Sequence, residues 1–128
     1  MNQMDIFVRN DDQVEVKVFA WKDKDTDDLT ATNEESEVPK EVDAQIIKCV
    51  FRRPNYQDSN AILRTASITG EMSGSPDLMS FQDSIIRSLL LEVHYGDEVV
   101  DMRQQKINSL HPNIARAAIA GVLDKVTI

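Results

Sequence analysis

The sequence predicts an α+β fold, in which a small antiparallel β-sheet from the N-terminal half packs against a C-terminal bundle of about three helices. Three observations carry that reading. Valines alternate with charged residues over positions 14–21, a second extended run follows at 44–53, and apolar residues recur at helical spacing through 76–126.

Taken in order, Ile6, Phe7 and Val8 form a short apolar run that can pair as an edge strand, and Asn10, Asp11 and Asp12 offer turn chemistry for a hairpin into the next element. Val14, Val16 and Val18, with Glu15 and Lys17 between them, place one face of a strand inward and the other toward water. Phe19 and Trp21 predict that the outer face becomes covered near the strand's end. Residues 22–43 show no apolar period, and Pro39 forbids a central strand, so they are expected to form a long acidic loop. Ile47, Cys49 and Phe51 then alternate with Ile46, Lys48, Val50 and Arg52, so both faces are partly apolar and this run is the expected central strand.

Pro54 stops that strand. Asn55 and Asp58, three residues apart, match the start of a helix with a capping-box pair, and Tyr56, Ile62, Leu63 and Ala66 are its expected apolar side. Residues 70–76 read as a turn. Leu78, Phe81, Ile85, Leu89 and Val93 step by threes and fours, which predicts one amphipathic helix through Val93 with Gly96 as its left-handed cap. Ile107, Leu110, Ile114, Ala118, Val122 and Val126 make a second stripe, with Ala117, Ala118 and Gly121 small enough to admit another backbone. An antiparallel helix pair follows.

A chain of 128 residues is expected to be one domain, 1–128, that buries a core without staples. With 41% hydrophobic but only 5% aromatic residues, that core should be aliphatic. The single cysteine, Cys49, rules out an internal disulfide and reads as a buried inert thiol. The N-terminal residues lack the basic and apolar regions of a signal peptide, and no apolar run approaches a membrane span, so no membrane partner is expected. The net charge of −8 also argues against direct nucleic-acid binding, which needs a basic footprint. Residues 22–43 hold nine of the 22 acidic residues against three lysines, so six of the eight net negative charges come from this segment.

Within it, Asp23, Asp25, Asp27 and Glu34 occupy positions one, three, five and twelve of a calcium-type loop. Asp28 stands where that loop needs glycine, Thr30 replaces the usual apolar residue, and a strand precedes it, so a solvated charge run competes with the metal reading. His94 and His111 show no metal spacing; His111, just before Pro112, suits a helix start, and His94 suits a helix C-terminus. No phosphate-cradling, dinucleotide, zinc-protease or nucleophile-elbow motif occurs, so neither a cofactor nor catalysis is expected. Arg52 and Arg53, followed by Tyr56 and Asp58, allow two roles: an ion pair fixing the strand-to-helix corner, or a donor surface for an acidic partner. Met72 and Met79 are adaptable contact residues if exposed, and core filler otherwise.

A strand running into Phe51, Arg52, Arg53, Pro54, Asn55, Tyr56, Gln57 and Asp58, then a helix, is followed by Leu89, Leu90, Leu91 and Glu92 with Gly96, Asp97 and Glu98. Ile107, Asn108, Ser109, Leu110, His111 and Pro112 then open a final helix. This arrangement, over residues 44–126, resembles the small assembly proteins of tailed bacteriophages, the tail and baseplate assembly chaperones in particular. The resemblance implies a non-enzymatic chaperone or adaptor, working in the host cytoplasm during assembly, that masks or orders other phage structural proteins. It brings no catalytic residues. A permanent virion subunit of baseplate, neck or capsid is the alternative, and an acidic DNA-mimic inhibitor is a further one.

Overall fold

Val14, Val16, Val18 and Ala20 lie on one face of strand β1 (Gln13–Lys22) and all are buried. β1 pairs with β2 (Leu29–Thr32) on one side and β3 (Gln45–Arg52) on the other, and β4 (Leu90–Tyr95) and β5 (Glu98–Asp101) complete an antiparallel sheet of order β2-β1-β3-β4-β5. Helices α1 (Tyr56–Gly70), α2 (Leu78–Leu89), α3 (Gln104–Ser109) and α4 (Pro112–Leu123) supply the rest, so the fold is α+β. The computed structural model describes residues 5–70 and 78–128.

One core joins sheet and helices. Val16, Val18, Ile47, Cys49 and Phe51 from the sheet pack with Ile85, Ile86 and Leu89 of α2 and with Ile114, Ala118, Ile119 and Val122 of α4. Each fully buried aliphatic side chain of this kind contributes roughly 1.5–3 kcal/mol. α4 lies on β1 and β2, α2 touches α4 and β4, and α1 packs chiefly on α2 as an outer layer.

Six expectations are corrected. Residues Ile6, Phe7 and Val8 form no strand, and Ile6 and Phe7 are exposed. The segment 22–43 is not structureless: it contains β2 and a single 3-10 turn at Glu35–Glu37. β2 and β3 flank β1 and run parallel to each other, so residues 33–44 must cross one face of β1. Phe19 faces away from the helices yet is buried, as such a crossing requires.

The helix expected through Val93 ends at Leu89, and Leu90 begins a strand with no intervening residue. Leu91, Val93 and Tyr95 alternate with Glu92 and His94, and pairing with β3 decides in favour of the extended form. Gly96 therefore caps no helix. At φ 58° it opens a two-residue hairpin between β4 and β5, where glycine adopts the positive φ without steric cost. His94 sits in a strand, 2.9 Å from a Glu92 carboxylate oxygen, rather than at a helix end. The second stripe is likewise broken into α3 and α4.

Candidate functional site

The capping box at the β3–α1 corner forms as its spacing requires. The Asp58 backbone N–H donates to the Asn55 side-chain oxygen at 2.9 Å, and the Asn55 N–H donates back to the Asp58 carboxylate at 3.0 Å. The same carboxylate receives the Arg52 guanidinium in a two-pronged contact, with Nη2 to Oδ1 at 3.0 Å, and Arg52 also donates to the Ser88 carbonyl near the end of α2. This arginine holds the Asp58 carboxyl below the ordinary carboxylate range. Arg52 is thus engaged within the fold, so of its two expected roles the corner-fixing one is the one observed. Arg53 is half-buried, and its backbone N–H donates to the Asp12 carbonyl at 2.9 Å.

Tyr56 begins α1 with 82% of its surface exposed, although it was expected on the apolar inner side. Ile62 and Ala66 form that side, both buried, while Leu63 points outward at 45% exposure. At 3.6 residues per turn, Tyr56 and Leu63 lie about 20° apart around the helix and about 100–120° from Ile62. Across the same helix pair, Leu78 and Met79 open α2 with exposures of 65% and 80%. Met72 lies outside the described residues. Of the expected contact residues, Tyr56 and Met79 are therefore placed on the outer helix pair, and Leu63 and Leu78 join them. The signal for Leu63 was its seven-residue spacing from Tyr56.

Asp23, Asp25, Asp27 and Glu34 are not gathered around a common point. Residues 23–28 form the β1–β2 hairpin turn, in which the Asp23 carboxylate accepts the Asp25 and Thr26 N–H groups at 2.8 and 3.2 Å. Asp27 takes the left-handed conformation at φ 57°, which a short acidic side chain tolerates. Glu34 lies beyond β2, where a hydrogen bond with Glu37 and then the Glu37 charge raise its pKa. Among the described residues no group of three histidine, cysteine or acidic side chains is placed to hold a metal ion.

The acidic turn is anchored instead. His111 caps α4 by accepting the Asn113 N–H through Nδ1, while its Nε2 lies 2.9 Å from Asp28 Oδ1. Asn113 donates to the Leu29 carbonyl at 2.7 Å, so two side chains at the start of α4 clamp β2. The His111 hydrogen bond, helped by the Leu29 N–H, lowers the Asp28 pKa.

At the opposite ends of α4 and β2 runs a groove of about 500 Å³ lined by Glu15, Val16, Lys17, Glu34, Asp124 and Lys125 among others. No motif announced it, because it arises where β2 stops short of β1.

No protein-family profile matches the chain, and neither a curated protein nor a solved structure matches it at a significant level. Among the described residues, no helix is long and apolar enough to cross a membrane.

Proposed function

We propose that this chain is a non-enzymatic binding protein of tailed-phage tail or baseplate assembly, a chaperone or adaptor whose outer helix pair covers an apolar surface on another virion component. The observation that supports it is the exposure of Tyr56, Leu63, Leu78 and Met79 on α1 and α2, large side chains turned to solvent on helices whose other faces are buried. Exposed apolar groups mark interaction surfaces where they adjoin, as Tyr56 and Leu63 do on one helical face and Leu78 and Met79 do in sequence, and methionine adapts to irregular partners. The formal charge of −8 keeps such a protein soluble while it waits for its partner.

Co-expression with the tail and baseplate subunits of the same genome tests this reading. One of them should co-elute with the chain in size-exclusion chromatography, and the complex should be lost in a Tyr56→Ser, Leu63→Ser variant. Failure to bind any virion protein overturns the proposal. Mass spectrometry of purified particles then separates a chaperone, absent from them, from the alternative of a permanent subunit present in fixed copy number.

A further inference from the structure

We propose that the free edge of β1 over residues 13–17 takes up a short extended segment of a partner protein, bearing lysine or arginine, as an added strand in line with β2. This surface shares no residue with the outer helix pair, so its test and the preceding one fail separately.

The backbone supplies the template. β2 pairs only with the last four residues of β1, Phe19 to Lys22, and among the described residues no strand flanks residues 13–18 on that side. In an antiparallel ladder each residue directs both its N–H and its C=O to one neighbour, and the direction alternates. The Lys125 ammonium donates to the Glu15 carbonyl, so Glu15 points away from β3, and Lys17, two residues on, points the same way. Glu15 and Lys17 therefore present main-chain groups to the groove, the arrangement used when an extended peptide adds to a sheet edge.

The walls choose the occupant. Glu34, Glu35 and Asp124 line the groove with Glu15, against Lys17 and Lys125. Asn33 donates to Asp124 at 3.4 Å and ties the two walls together. Glu37 raises the pKa of Glu34 by hydrogen bonding and by its charge, with Asp124 adding to the effect, which reports an excess of carboxylate that a cation relieves. A second copy of this chain as occupant brings the acidic walls of both copies together, so a basic segment fits better. Lys125 meanwhile protects the edge, as lysines do on exposed strands, and must swing aside when the segment enters.

The test is an NMR titration of the full chain with a blocked peptide alternating valine and lysine, and with its counterpart carrying glutamate for lysine. The lysine peptide should shift the Glu15 and Lys17 amides and slow hydrogen exchange at Lys17. Lys17→Pro removes one outward N–H and leaves the β3 ladder intact; it should weaken binding about tenfold, the factor expected for one to two net hydrogen bonds. Asp124→Lys, on a helix end away from the ladder, should weaken it comparably even if the proline variant folds poorly. Lys125→Ala should strengthen it. Equal binding of the glutamate peptide, shifts confined to other residues, or a dimer through this edge that excludes the peptide overturns the proposal.

Discussion

Gly121 of α4 lies directly against Val16 of β1: a Cβ on the glycine would fall 2.3 Å from the valine Cγ1. Val16 is β-branched, hence stiff, and 2% exposed, so it has no room to yield. Gly121→Ala should gain at most about 1 kcal/mol of helix propensity and lose about 1–3 kcal/mol to overpacking, leaving a net loss. Urea unfolding measures it. Adding Val16→Ala should give a double variant less destabilised than the sum of the two single changes.

The Arg52–Asp58 pair closes the corner between β3 and α1, with only 16% of the Asp58 side chain exposed. Asp58→Ala removes the ion pair and half the capping box together, and should cost about 2–4 kcal/mol. Asp58→Asn, which keeps a hydrogen-bonding side chain, should cost less. Loss of hydrogen-exchange protection should begin in the first turn of α1.

Acid should loosen the molecule at two places. The folded-state pKa values of Asp28 and Asp58 are both lowered, so their contributions are fully present above the ordinary aspartate value and vanish as pH falls through the lowered ones. Their share of the thermal midpoint should therefore be level from neutral pH to about pH 5 and drop below it. Asp58→Asn should shrink that drop. His111→Gln should shrink the Asp28 share and loosen one of the two side-chain clamps between α4 and the start of β2.

Cys49 is fully buried in β3, between Val16 and Val93 on the neighbouring strands, and burial pushes its thiol up to about 12. A thiol reagent at pH 8 should label it only as fast as the chain unfolds. Above the ordinary thiol range the unfolded state ionises while the folded one does not, so stability should fall as pH rises from about 9 toward that value. Cys49→Ser should cost about 1–3 kcal/mol by burying a hydroxyl among apolar groups.

On the outer helix pair the opposite holds. Tyr56→Ser and Leu63→Ser should each change stability by less than about 0.5 kcal/mol, since neither fills the core. Their effect should appear in partner binding alone.

Where one physical demand dominated, the sequence was legible. Val14 to Val18 alternate because one face is core and the other water, and Asn55, Asp58 and Arg52 meet because their spacing permits a single corner. Leu89 and Val93 were misleading because they satisfy a four-residue step as well as a two-residue one, and only pairing with β3 separates the two. Leu29 to Thr32 hid as a strand because the run is short and half polar, and what holds it is pairing with Phe19 to Lys22 and the Asn113 hydrogen bond to the Leu29 carbonyl, neither of which shows as a period. The β1 edge groove had no signal at all: it is an absence of pairing, set by where β2 ends. The placement of Tyr56 and Leu63 was readable in principle, yet hydrophobicity alone drew both inward.

The direct passage from Leu89 of α2 to Leu90 of β4 leaves no slack between that helix and an inner strand of the sheet. An inserted residue there would force Leu89 and Leu90, both buried in the one core, out of register with each other, while that core still held the helix to the sheet.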